Sequence, residues 1–427
     1  MADRSGTDRL VAIAEDRILG EIRTTKNRLS LVYAGKWQND PDAYPLSLSM
    51  PLTATEYGHS QIEPWLWGLL PDNEAILSGW GRRFHVSPRN PFALLSHVGE
   101  DCPGAIQLIA PDKVDGILER PGQIQWLTEA EIAQRLKILK QDPSAWRAAH
   151  DTGQFSLAGA QPKTAFIHRN GRWGIPSGRL PTTHIFKPPS DAFPGHAENE
   201  HVCLRLAGML GFPVAESRVL QFEKQIAIVV TRYDRVEARK TIRRAHQEDM
   251  CQALACPPTS NYQNQGGPGA KDIIDFLRVH SGNPQEDIWT FVQALGFNWL
   301  IGGTDAHAKN YSMLIGAGGR ARLAPLYDMA SILPYDFDRR KLKLAMSIGR
   351  EYLLEHVDWR KWAKFSEQVH LPVDLLHQKL RDLALRLPDA LSQIVRSARK
   401  EGLSAAALAG ITKALEERAA RCLKELS

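Results

Sequence analysis

The period of the apolar positions changes near the middle of this chain, and that change limits the folds open to it. Residues 10–35 alternate apolar and polar positions (LVAIAEDRILGEIR, then RLSLVYAG), which predicts short strands joined through a glycine-containing turn. IEPWLWGLLPDNEAILSGWGRRF has helical spacing with tryptophans expected in the core, and NPFALLSHVGEDCPGAIQLIA closes on a strand. LTEAEIAQRLKILKQ offers Thr128 as an N-cap with Glu131 three positions on, and is expected to be a linker helix before a second module. Residues 154–235 return to strands: RNGR reads as a hairpin turn, THIFKPP and QIAIVVTRYDRV as strands, and AENEHVCLRLAGMLG as a helix ended by Gly211. After Tyr233 the text turns helical, with apolar positions every three or four residues in FVQALGFNWLIGG, VDLLHQKLRDLALRL and AAALAGITKALEERAARCLKEL.

The predicted fold is therefore α+β. A β-rich N-terminal lobe, with an extra N-terminal subdomain, precedes an all-helical C-terminal lobe. The expected units are 1–145, 146–234 and 235–427, an outline like that of a protein kinase with a nucleotide cleft between lobes. With 427 residues, 43% of them hydrophobic, the chain can bury a large core. No run of about 18 apolar residues predicts a spanning helix, and MADRSGTDRL has no apolar signal core, so no membrane partner and a cytoplasmic location are expected. Five cysteines (102, 203, 251, 256, 422) lack CxxC or Cys/His ligand spacing, against a disulfide framework or zinc site. A net charge of +5 is spread without a basic block, and no helix-turn-helix is legible, which is little support for direct DNA reading.

The chemistry lies in an ordered set of short segments. Gly303-Thr304-Asp305-Ala306-His307-Ala308-Lys309-Asn310 is followed 18 positions after Asn310 by Asp328, in Ala324-Pro325-Leu326-Tyr327-Asp328-Met329. Asp and Asn five apart and then a second Asp is the spacing of a kinase catalytic loop and metal loop. One carboxylate must accept the substrate hydroxyl proton, while an amide oxygen and another carboxylate hold magnesium, a hard cation that prefers oxygen. Asp305 is the expected base, and Asn310 with Asp328 the expected metal ligands. Taken singly, each would more often start a turn or cap a helix. Their order decides otherwise. Lys187 ends a predicted strand, where a cation can meet nucleotide phosphates, with Glu198 or Glu200 of the next helix as its partner. Ser156-Leu157-Ala158-Gly159-Ala160-Gln161-Pro162-Lys163 has the small residues that let a turn approach phosphate oxygens. Val230 to Arg235 sits where the lobes should join, so its backbone could read an adenine edge, or it is a charged linker. The segment Gln247 to Gln252 and the loop Gly266-Gly267-Pro268-Gly269 carry no assigned chemistry.

SLAGAQPKTAF, PTTHIFKPP, ENEHVCLRLAGMLG, RYDR, HQEDMCQ, GGPG, FNWLIGGTDAHAKNYS and LAPLYDMAS, in this order, resemble the HipA family of toxin–antitoxin kinases over nearly the whole chain. The resemblance implies a kinase-like fold using ATP and Mg2+. It implies ATP contacts from Ala158, Gly159, Ala160, Gln161 and Lys163, from Lys187, from Thr231 and Tyr233, from His307, Lys309 and Asn310, and from Tyr327. Asp305 is implied as catalytic, Asn310 and Asp328 as magnesium ligands, and Ser156 as an inhibitory autophosphorylation site whose added charge would repel ATP phosphates. Pro162 stands where the family often has an acidic residue, and Thr231 where an acidic hinge residue is common. The implied partners are a HipB-like helix-turn-helix antitoxin, operator DNA reached through it, and a protein substrate, with an aminoacyl-tRNA synthetase as candidate. The implied outcome is growth arrest or persistence. A non-catalytic corepressor and a small-molecule or lipid kinase are the rival readings; intact Lys187, Asp305, Asn310 and Asp328 argue against the first.

Overall fold

Tight turns set the register of the first sheet. In the computed structural model, which describes residues 7–119, 122–147, 151, 154–190, 192–238 and 241–426, Lys26 and Asn27 take φ of 51° and 61° between strands Arg17–Thr25 and Arg28–Tyr33. Left-handed backbone at both central residues is what a two-residue hairpin demands. The glycine expected in a turn lies instead inside a strand: a Cβ on Gly20 would meet the Val32 carbonyl at 2.5 Å, so it permits close strand pairing. Arg9–Ala14, Ile106–Ile109 and Glu56–Tyr57 complete an antiparallel five-stranded sheet. Helices His59–Gly68, Glu74–Phe84 and Pro91–Val98 share its core, in which Trp65 and Trp80 are buried as expected, Trp67 packs against it half-buried, and Trp37 is buried as well.

The second sheet has six antiparallel strands in the order Ser217–Phe222, Gln225–Thr231, His184–Lys187, Thr164–Arg169, Arg172–Pro176 and Ile124–Trp126. Asn170 and Gly171 take φ of 53° and 73° in the expected hairpin. Helix Glu129–Gln141 begins with the capping box of Thr128 and Glu131. It is no linker: Ile132 and Leu136 pack with Phe166, Phe186, Phe222 and Val229 of this sheet. With Ile124–Trp126 paired to Arg172–Pro176, the sheet spans the boundary drawn at 145/146. Helix His196–Met209 lies against the strands through Ala197, which packs with Ile228 and Val230.

The C-terminal lobe is built on helices Ala270–His280, Pro284–Ile301, Trp359–Gln368, Val373–Lys400 and Ala405–Glu425, which share one large core. It is not all-helical. Hairpin Arg235–Ala238/Thr241–Arg244, sheet His246–Asp249/Ser312–Ile315/Ala321–Leu323 and hairpin Lys343–Ile348/Glu351–Leu353 lie within it. These strands are three to six residues long, too short for a two-residue alternation to stand out. The chain after Tyr233 therefore runs through strands before it turns helical. Among the described residues no helix is long and apolar enough to cross a membrane.

The N-terminal subdomain is joined to both lobes by buried polar contacts. Asp101 accepts from Arg235 at 2.9 Å and Arg244 at 3.1 Å, and Arg232 donates to Asp234 at 2.9 Å and to the Cys102 carbonyl at 2.9 Å. Burial opposes the charge on Asp101, but Arg235, Arg244 and Arg232 hold its carboxyl far below the usual range. Glu248 accepts from the Leu48 N–H at 2.7 Å, and burial pushes its carboxyl up to about 8.

Candidate active site between the lobes

Lys187 stands at the centre of the cleft. It ends the strand His184–Lys187, and its Nζ donates to Glu200 Oε1 at 2.7 Å and Asp328 Oδ1 at 2.6 Å. The structure thus chooses Glu200 over Glu198. Burial works against the ammonium, yet Asp328 and Glu200 keep it protonated well above the ordinary lysine value. Asp328 shows the converse: partial desolvation opposes its charge, and Lys187 with Lys163 hold its carboxyl far below the usual range. Its side chain keeps 38% of its surface open to the cleft. Asp328 takes φ of 56°, a strained backbone for a residue with a Cβ. The strain is held by the preceding residues, since Leu326 exchanges backbone hydrogen bonds with Pro213 and Ala215 at 2.8 Å each.

The loop expected to be catalytic follows helix Pro284–Ile301, which ends on Gly302 at φ 66°. A Cβ on Gly303 would lie 2.3 Å from Asn298 Oδ1, so the glycine lets the chain pass close to that side chain. Asp305 follows, largely exposed, close enough to Asp328 and Lys187 to feel both charges. Asn310 Nδ2 donates to the Asp305 carbonyl at 2.7 Å, closing the loop and turning the amide oxygen to other use. Asn310 and Asp328 line one small cavity together with Asn298, Tyr327 and Met329. His307 Nε2 lies 3.9 Å from Asp305 Oδ1. Lys309 is turned away: its Nζ is buried against Asp72 Oδ1 at 2.6 Å.

The turn at residues 158–163 curls over its own lysine. Gly159 takes φ of 100°, and Lys163 Nζ donates to the Ala158 carbonyl at 2.5 Å. Burial and the like charge of Lys187 push the Lys163 ammonium down to about 8. Gln161 Nε2 reaches the Pro188 carbonyl at 3.5 Å. The Ala160 carbonyl accepts from Asn73 Nδ2 at 3.4 Å. Ser156 is fully buried, its hydroxyl donating to the Leu69 carbonyl at 2.6 Å.

At the junction of the lobes, Thr231 N–H donates to Glu216 and Arg232 N–H to Thr183, at 2.8 and 2.9 Å. The Tyr233 and Tyr327 rings lie 5.7 Å apart beside Ala215, Ile228 and Val230. The Tyr327 hydroxyl meets Ser312 Oγ and the Lys309 carbonyl, each at 2.7 Å. The charged side chains of Arg232, Asp234 and Arg235 serve the buried network around Asp101.

Two residues missed in the sequence stand at this site. The Tyr262 hydroxyl donates to Asp305 Oδ1, and its ring meets His307 edge-on at 4.8 Å. It belongs to the loop before Gly266, where no periodicity marks a functional side chain. Asp72, the partner of Lys309, sits just before the N-cap Asn73 of helix Glu74–Phe84, which offers no local signal either.

The sequence pattern described as HipA-like C-terminal domain matches residues 155–392, and that of the HipA N-terminal domain matches residues 10–109. A protein of Sinorhizobium fredii named "Putative kinase Y4mE" is 34% identical over 89% of this chain and 90% of its own. The serine/threonine-protein kinase toxin HipA of Shewanella oneidensis is 31% identical over 89% of this chain and 88% of its own. A solved Shewanella oneidensis complex of HipA, HipB and operator DNA contains a chain that superposes with a TM-score of 0.84 at 27% identity, covering 98% of both chains. This chain belongs to the HipA family of kinases.

Proposed function

We propose that this chain transfers the γ-phosphoryl group of ATP to a serine or threonine hydroxyl of a protein, as a toxin of a HipA/HipB-type module. The observation that carries the reading is Lys187 bridging Glu200 and Asp328 beside a loop that presents Asp305 and Asn310. Glu200 holds the ammonium where it can meet nucleotide phosphates. The amides of residues 158–161, in a turn opened by the left-handed Gly159, suit the phosphates, and the Lys163 ammonium stands beside them. Tyr233 and Tyr327 offer an aromatic wall to the base, with the backbone of Thr231 to Tyr233 beside it. Asp305 accepts the hydrogen bond of the incoming hydroxyl in place of Tyr262, and takes its proton as the new O–P bond forms and the β–γ bridging O–P bond breaks.

Asn310 and Asp328 fit magnesium: both line one cavity, the Asn310 amide nitrogen is spent on the Asp305 carbonyl so that its oxygen is the donor left, and Asp328 is held ionised. When bound, the ion neutralises charge on the transferring phosphates.

Ser156 is the proposed inhibitory autophosphorylation site. Its hydroxyl has no room for a phosphate against Leu69, so the modified loop would leave this seat. The Shewanella complex of HipA with HipB and operator DNA supports an antitoxin and DNA as partners; in this reading the antitoxin is a helix-turn-helix protein, operator DNA is reached through it, and the operon is co-repressed. The target is a cytoplasmic protein, an aminoacyl-tRNA synthetase being the candidate, and its modification would arrest growth. Purified protein with Mg2+ and γ-labelled ATP tests the reading. Label is expected on Ser156 and on protein substrate, and is lost in Asp305→Gln. ATP binding without any transfer to protein would overturn it.

A further inference from the structure

The connector Leu69–Asn73, between helices His59–Gly68 and Glu74–Phe84 of the N-terminal subdomain, touches both loops of the cleft. On the phosphate-loop side it takes three bonds: Ser156 Oγ to the Leu69 carbonyl at 2.6 Å, Asp72 N–H to the Gly159 carbonyl at 3.3 Å, and Asn73 Nδ2 to the Ala160 carbonyl at 3.4 Å. On the catalytic-loop side it makes one contact, but an ionic one, Lys309 Nζ to Asp72 Oδ1 at 2.6 Å. The Lys309 side chain is only 3% exposed and that of Asp72 19%. A pair this enclosed is weakly screened, and removing one partner strands the other charge.

Among the described residues, Asp249 is a second carboxylate near Lys309. That group is a poor substitute. An Asp249 oxygen already accepts from the Gln252 N–H at 2.9 Å as a helix cap, and burial pushes its carboxyl up to about 6. Lys309 itself lies one residue before Asn310, whose amide closes the loop on Asp305, and its carbonyl accepts from Tyr327, the neighbour of Asp328. A displaced Lys309 would therefore carry Asn310 and the Tyr327–Asp328 turn with it.

We infer that Asp72 is a positioning residue for phosphoryl transfer: through Lys309 it fixes the catalytic loop, while its own connector fixes the phosphate loop. The N-terminal subdomain thus completes the active site, because one five-residue segment sets the distance between the two loops. Asp72 touches neither nucleotide nor acceptor in this scheme. The inference rests on the kinase reading above for its rate effect, but not for its structural effect.

The test uses the full-length chain and the near-isosteric Asp72→Asn, with Lys309→Met and the double variant. Transfer from labelled ATP in Asp72→Asn should fall about 100-fold in kcat, the scale of a small misplacement of reacting groups, while KM for ATP stays within about threefold. The two single effects should not multiply: the double variant should be no slower than the slower single. Amide hydrogen exchange over 305–310 should quicken in Asp72→Asn, and Asp72→Glu should restore part of the rate. Multiplying effects, or an unchanged kcat in Asp72→Asn, overturn the inference. If the wild-type chain transfers no phosphate, the kinase reading fails separately. Exchange then decides the bracing, which is overturned if residues 305–310 are as protected in Asp72→Asn as in the wild type.

Discussion

The buried charge networks behind the lobe junction and in the cleft differ in the way that separates a site from a joint. Behind the lobe junction, three guanidiniums (Arg232, Arg235, Arg244) face two carboxylates (Asp101, Asp234), with no side chain more than 6% exposed. Arg232 spends its donors on Asp234, Thr182 and the Cys102 carbonyl. In the cleft, Lys187 bridges two carboxylates, Glu200 and Asp328, with Lys163 close enough to act on both; Asp328 keeps an open face, and Glu200 Oε2 has no hydrogen-bond partner among the described residues. The first network is closed and satisfied, so it holds the subdomain to the junction. The second is open on its Asp328 side, where a carboxylate is left exposed, which suits a cation arriving with phosphates.

Substitutions can break that contrast. The largest effect is expected for Asp328→Asn, where labelled-ATP transfer should fall on the order of 1000-fold with loss of charge stabilisation. Its melting temperature should hardly change, because asparagine tolerates the left-handed backbone and Lys187 keeps Glu200. Retained transfer would make the cleft network a joint like the other. Asp101→Asn should instead cost about 3 kcal/mol in denaturant unfolding, with kcat of the folded protein preserved; a lost kcat at intact stability would move the junction network into the chemistry.

The smallest effect sharpens the comparison with a third buried acid. Glu248 has a folded-state value near 8 against an ordinary 4.5, so the folded protein holds a proton that the unfolded chain releases between those values. The stability it supports is complete below about pH 4.5 and lost as pH rises through about 8. Glu248→Gln should therefore stabilise under alkaline conditions and change little in acid, read from melting curves across pH. Equal effects at both ends would mean that the carboxyl is not carrying this proton.

Much of the cleft was legible because its parts are local. Asp305 and Asn310 belong to one turn, and the turn is closed by a bond between those two residues. Asn170-Gly171 and the Thr128/Glu131 box were legible for the same reason. Glu200 was not separable from Glu198, since both sit on the first turns of one helix and the rotation of that helix over the sheet selects between them. The strands between 235 and 249 were read as the start of a helical lobe, because short strands rich in charge carry no period of their own. Helix Glu129–Gln141 was legible as a helix but not as part of the second sheet's core, for its partners lie on strands from Thr164 onward.

The sequence by itself determined the family, the order of the chemical groups and their local conformations. Those depend on residue type and on separations of a few positions, over which the backbone has few choices. Tertiary structure decided which glutamate meets Lys187, that Lys309 turns to Asp72 across 237 positions, and that Tyr262 covers Asp305. Contacts at such separations depend on how whole layers dock. Docking is set by the summed packing of many apolar side chains, which no single residue in the sequence records.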